Sequence, residues 1–278
     1  MRPGSIRVAV WLGLAWGLAC ALGALAQDAK PLPDVVFLRA LALETNKKTE
    51  AMRERYLCRV RTETQEIGAK GSIKKIDGDV REIFFVKSHQ ITQIVEKNNK
   101  PLNADDAKKQ IDKVKKQIEE AQQGKANPNS ISPAQVVRLV KLTNERRVLV
   151  AGRPTIVFDG AGDPASKANS IPERIVQVLK GTISIDEQTG QIQDTNVVGM
   201  RDVKVGGGLV ANIHKGFLFH IVTAPRPDGV WLIQSADGSG DARVGLFYHP
   251  SLRFHQETQG CRLFDVQSDS VESLQEKH

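Results

Sequence analysis

The 278-residue chain is predicted to fold as an α+β protein, a curved antiparallel β-sheet covered by a few amphipathic helices. Three observations predict it. Segment 202–266 divides into short apolar runs at 217–223, 230–234, 242–248 and 252–256, the last continuing beyond Gly260 into 261–266. The breaks are Pro225-Arg226-Pro227-Asp228-Gly229, Asp237-Gly238-Ser239-Gly240-Asp241 and His249-Pro250-Ser251. Strands separated by such short turn clusters pair with their neighbours. Second, the chain from Tyr56 alternates: Tyr56, Cys58, Val60, Thr62 and Thr64 share one face, and mainly charged residues occupy the other. Third, only about three stretches carry helical periodicity, too few to cover both faces of this much strand.

In order, Arg2 and Arg7 precede an apolar run from Val8 to Leu25, and Ala24-Leu25-Ala26 is a small-x-small cleavage site. Residues 1–26 therefore read as a signal peptide, with the mature chain starting at Gln27. An uncleaved anchor and lipid attachment at Cys20 are the alternatives, the latter opposed by Gly17 where such sites place Leu. Asp34 caps a first helix whose apolar face is expected to be Val35, Phe37, Leu38, Leu41 and Ala42. The Tyr56 strand ends at the turn 68–71. Strand material follows at 73–83, with a hairpin or bulge at Asp77-Gly78-Asp79, and then at 83–86 and 90–96.

Asn103 caps the clearest helix, 103–123, in which Ala107, Ile111, Val114, Ile118 and Ala121 form one apolar stripe. Ser132 and Pro133 open another helix containing Val136, Val137, Leu139 and Val140. Strands are expected at 147–151 and 155–158, then a polar loop at 159–170, and further strands at 174–185, 191–198 and 201–205. No internal boundary is evident, so 27–268 is expected to be one domain, followed by a polar tail at 269–278.

The chain is basic, with a formal net charge of +7, yet its lysines alternate with acids and no aromatic-interleaved basic motif is present. A nucleic-acid partner is not expected. Cys58 and Cys261 are the cysteines left beyond the signal segment. In an oxidising compartment they form a disulfide between the first long strand and the last, or remain two separately buried thiols. Neither lies at metal-ligand spacing.

Catalytic signals are poor. His214 and His220 are six apart and fit no two-ligand pair, Gly206-Gly207-Gly208 lacks a phosphate loop's Lys-Ser/Thr, and no Gly-x-Ser-x-Gly elbow exists. No enzymatic activity, cofactor or metal is expected. The strands near the C-terminus are instead apolar on both faces: Phe217, Phe219 and Ile221 oppose Leu218 and Val222. Such a sheet is covered twice, or covered once and used to hold something apolar.

Read together, the signal peptide, the leading helix and the 56–64 strand resemble the outer-membrane lipoprotein-sorting (LolA-like) family and its RseB-like relatives. Further elements carry the likeness: Lys100-Pro101-Leu102 turning into a charged helix, Gly152-Arg153-Pro154-Thr155, Ile183-Ser184-Ile185-Asp186, Lys215-Gly216-Phe217 and Gly229-Val230-Trp231-Leu232. The helix at 103–123 and the Cys58/Cys261 pair depart from the simplest carriers.

The resemblance implies a periplasmic half-barrel whose concave face holds a lipid or lipoprotein acyl chain. Its expected lining is Phe84, Val86, Phe217, Phe219, Trp231, Phe247 and Phe254, although a one-residue slip of register exchanges the faces. An envelope protein is the other expected partner. An envelope interaction protein with a filled core and no ligand is the alternative function.

Overall fold

The computed structural model describes residues 30–125, 131, 133–208, 210–245 and 247–263. The expected signal segment with Cys20, and the polar tail, lie outside them. The described residues from Leu32 onward form one compact unit.

Helix α1 (Val35–Arg53) starts where the Asp34 carboxylate accepts the Val36 N–H at 3.0 Å. Leu38 is buried, with Val35 packed beside it, whereas Phe37 is exposed, against expectation. Successive helical residues diverge by about 100°, so a face centred on Val35, Leu38 and Ala42 leaves Phe37 to one side and Val36 outward.

Strands β1 (Tyr56–Ile67), β2 (Ile73–Val86), β3 (His89–Lys97) and the two-residue β4 (Lys100–Pro101) follow. β2 runs unbroken through Asp77-Gly78-Asp79, where a hairpin or bulge was expected. Helix α2 (Ala104–Gln122) starts at Asn103, whose side chain accepts the Asp106 N–H at 2.9 Å. Asp105 and Asp106 favour the positive end of its dipole.

Next come α3 (Pro133–Leu139), β5 (Val140–Val150) and β6 (Arg153–Gly162). A short helix, α4 (Ile171–Val176), occupies the start of what reads in sequence as strand. Ser170 caps it, Pro lies in its first turn, and Glu173 follows three residues after the cap, a complete helix-start signal. β7 (Leu179–Asp186), β8 (Ile192–Gly199), β9 (Val203–Val205), β10 (Ala211–Ile213) and β11 (Leu218–Pro225) lead to the last two strands.

Those two strands correct the expected meander. Residues 230–234 and 242–248 are not separate strands about a turn at Asp237–Asp241. β12 (Trp231–Val244) passes straight through Asp237-Gly238-Ser239-Gly240-Asp241, and β13 (Ser251–Leu263) continues through Gly260. Gly238 and Gly240 have no positive φ. Their role is spatial, as described below.

All pairings are antiparallel in an open sheet of order β4-β3-β2-β1-β13-β12-β11-β8-β7-β6-β5, with β9 and β10 appended to the far end of β12. The first long strand thus pairs with the last. Cys58 lies directly opposite Cys261, and the two form a disulfide.

Pairing register places Cys58, Ile83, Cys261, Ile221, Ile183 and Phe158 on one face. Helices α1, α3 and α4 pack on that face over β5–β8, around Leu38, Leu139, Phe158, Val176 and Ile183. Met52, near the end of α1, joins Tyr56, Cys58, Val60 and Val230. Helix α2 lies on the opposite face, where Val114 and Ala121 meet Leu57, Phe84 and Ile91. Each Val, Leu, Ile or Phe side chain fully buried there contributes about 1.5–3 kcal/mol.

Candidate functional site

Between the two helix-packed cores of the α1 face, the central strands carry a row of three phenylalanines. Phe219, Gly238 and Phe254 stand opposite one another across β11, β12 and β13. The Phe219 ring lies 6.1 Å from that of Phe254 and 5.6 Å from that of Phe217, the latter pair edge-on at 67°. Phe217 is buried, whereas Phe219 and Phe254 are half-buried.

The glycines make this row. A Cβ at 238 would stand 2.1 Å from the Phe254 ring, one at 240 would stand 2.6 Å from Phe217 Cβ, and one at 199 would stand 2.1 Å from the Phe217 ring. The rings therefore lie down over bare backbone, which only glycine permits. Ile221, Ala236 and Val197 occupy the same face by register. The result is a low apolar surface, partly open, flanked by packed core on both sides.

Of the seven expected lining residues, Phe217, Phe219 and Phe254 come together here. Phe84 and Val86 are placed on the other face, packed beneath α2 with Ile91 and Ile118. Trp231 is the first residue of β12, opposite Pro225, with the Arg153 guanidinium 5.6 Å from its ring centroid. Phe247, in the turn between β12 and β13, is 89% exposed.

On the reverse side of the same strands is a shallow depression of about 270 Å³. Backbone at 219, 238 and 254 floors it. Asn196, His220, Asp237 and His255 rise on one side, and Leu218, Ser239 and Arg253 on the other. His220 Nε2 lies 2.8 Å from Asp194 and His255 Nδ1 lies 2.7 Å from Asp237. These transverse pairs went unpredicted because they depend on the register between strands. Alternation within each strand was the only signal available. Each histidine is taken up by a carboxylate, and among the described residues no group of His, Cys, Asp or Glu could hold a metal ion.

The charged groups that are buried serve architecture. Asp186, fully buried, accepts from Arg153 Nε at 2.6 Å and from the Thr189 N–H and hydroxyl at 2.9 and 2.7 Å. Burial acts to raise its pKa, but these donors outweigh it and hold the carboxyl below the ordinary range. Together they fix the turn 187–191 on which α1 rests. Gly190 in that turn has φ +69° and no room for a Cβ against the backbone of Leu38 and Ala42. Nothing in these clusters is arranged to activate a nucleophile.

No protein-family model matches the chain, and no curated relative matches it. Among solved structures, the chain is similar to a Vibrio parahaemolyticus domain assigned to outer membrane lipoprotein sorting. The likeness has a TM-score of 0.37 at 8% identity and covers 85% of this chain and 98% of that one. It is also similar to lipovitellin, solved for its lipid–protein interactions, with TM-score 0.31, 9% identity and coverage of 76% of this chain and 26% of that one. MucB in complex with MucA(peri) gives TM-score 0.22 and 10% identity over 81% of this chain and all of that one. These are likenesses in the course of the chain.

Proposed function

We propose that the protein is a non-enzymatic carrier or sensor of the bacterial periplasm that binds a lipid or lipoprotein acyl chain along the α1 face of its sheet. The supporting observation is the Phe217–Phe219–Phe254 row: aromatic rings laid on glycine backbone between two packed cores, with Phe219 and Phe254 half-buried. An acyl chain laid on this row gains about 0.8 kcal/mol for each methylene it buries and requires no polar catalytic group. The Cys58–Cys261 disulfide fits an oxidising compartment.

The test is native mass spectrometry with lipid extraction on protein purified from a periplasmic fraction, beside a Phe219→Asp variant. Bound acyl species on the wild type that are lost from a folded Phe219→Asp support the reading. Equal lipid on both proteins, or none on either after lipid is added, overturns it.

A second reading, an envelope interaction protein with a filled core, has its own observation. The rings already occupy the space above Gly199 and Gly238, and Phe217 Cβ that above Gly240. That reading predicts a clean apo mass and no uptake of added lipid.

A further inference from the structure

The end of the sheet opposite the α1-bearing turn presents large apolar side chains to solvent. Register brings three loops to this end. Ile67 stands opposite both Ser251 and Ile73, Asp241 opposite Ser251, and Val244 opposite Ala211. The loops are the β1–β2 turn, the segment before β10, and the β12–β13 turn. Phe247 is 89% exposed, and Val210, Ile73, Ile76 and Tyr248 are each more than half exposed.

The aromatic turn is held in place. The Tyr248 hydroxyl donates to Glu66 at 2.8 Å, the Gly245 N–H donates to the Val210 carbonyl at 3.0 Å, and Val244 bridges Tyr248. A pinned turn that exposes a phenylalanine keeps apolar area in water without an entropic return, which calls for an apolar occupant.

The charge around this end is positive. Glu66 and Asp77 lie at Lys74 and Lys75. Lys70, Lys204 and Arg243 add cations, against the carboxylates of Asp241 and of Asp202, the latter taken up by Asn212 and the Lys215 N–H. Apolar tips ringed by lysine and arginine match a bilayer surface that offers hydrocarbon below a layer of phosphate.

We propose that this end docks on an anionic phospholipid bilayer, with Phe247 and Val210 entering the interfacial layer and Lys70 and Lys204 meeting headgroup phosphates. Leu252 shares the α1 face with Phe254, two residues nearer the turn. The aromatic row therefore leads toward the docked end, and an acyl chain could pass between bilayer and sheet there. That last step rests on the acyl-chain reading, whereas docking itself does not.

The experiment is flotation of the purified chain with vesicles of phosphatidylcholine and phosphatidylglycerol (3:1), beside vesicles of phosphatidylcholine alone. The wild type co-floats with the anionic vesicles and is released by raised salt. Phe247→Asp, at a side chain that is 89% exposed, loses binding by about tenfold or more. Lys70→Glu with Lys204→Glu weakens it also. Leu149→Asp, at an apolar site on β5 that is 73% exposed and away from this end, leaves it unchanged.

Absence of wild-type flotation, equal flotation with neutral vesicles, an unaffected Phe247→Asp, or an equal loss in Leu149→Asp overturns the proposal. So does a wild type that stays off vesicles but forms a dimer by light scattering that Phe247→Asp dissolves, since the occupant is then a second copy. Phe219→Asp separates the two readings: it removes bound acyl chain and leaves flotation intact. A wild type that floats but never carries lipid retains docking and ends the carrier reading.

Discussion

Gly238 stands directly opposite Phe254 across β12 and β13, and the Phe254 ring fills the space a side chain at 238 would need. Gly238→Ala puts a methyl 2.1 Å from the ring, so the ring must rotate off the strand. The expected cost is about 1–3 kcal/mol, as for overpacking in a core, read as a lower urea midpoint. If the row holds acyl chains, the same substitution also reduces lipid uptake. Gly260→Ala, on β13 with open space around its Cβ, serves as the control and leaves both readouts within about 0.5 kcal/mol of wild type.

That residue pair also marks where sequence reasoning stopped. Asp-Gly-Ser-Gly-Asp has the composition of a turn, and nothing local distinguishes a glycine that bends the chain from one that clears space for a ring on the next strand. The distinction lies in Phe254, 16 positions away. The α+β class, the alternating β1, the α2 stripe and the α1 cap were all legible, because period and capping are local properties. The partition of the seven candidate residues between two faces was not. Phe84 and Phe219 each sit in an apolar strand, and only the pairing β2-β1-β13-β12-β11 shows that they point to opposite sides. The helix start at Ser170 was legible, although the composition of 159–170 reads as loop and 174–185 as strand.

The disulfide joins residues 203 apart in sequence, across the seam where the first long strand meets the last. In the chain-entropy model, closing so long a loop stabilises by about 5 kcal/mol. The Cys58→Ser/Cys261→Ser double variant is expected to lose up to about that amount, measured by urea unfolding under oxidising conditions. In reductant the wild type should fall to the level of the variant. A variant as stable as the oxidised wild type would show that the β1–β13 ladder closes the seam without covalent help.

Asp186 gives the pH dependence a definite sign. Its folded pKa is depressed, so the stability it contributes is complete above the unfolded carboxyl value of about 3.9 and is lost as pH falls through the folded pKa. Asp186→Asn removes the charge that Arg153 and Thr189 hold and should cost about 2–3 kcal/mol at pH 7, toward the lower end for a buried pair because Arg153 is partly exposed. Urea midpoints of the two proteins, followed from pH 7 downward, should converge below about pH 4. Parallel curves over the whole range would assign the stability of the 187–191 turn to groups other than this carboxylate.

The outer edge of β3 is closed by side chains rather than by a long strand. Gln117 accepts the Thr92 N–H at 3.2 Å and donates to the Thr92 carbonyl at 3.1 Å, and Gln110 accepts the Ile94 N–H at 3.4 Å. Glu96, the next residue facing outward, is paired with Pro101 of β4. The two glutamines are seven residues apart on α2, two helical turns, so they follow the rise of the strand while the apolar stripe packs on the sheet face. Open strand edges template association with other chains, and this arrangement removes one. Gln110→Ala/Gln117→Ala leaves backbone groups of Thr92 and Ile94 without these partners and should cost about 1–2 kcal/mol. Hydrogen exchange at the Thr92 and Ile94 amides should accelerate while amides at the centre of β1 keep their protection, and aggregation at elevated temperature should rise. Unchanged exchange at both amides would mean that packing of the apolar stripe alone closes the edge.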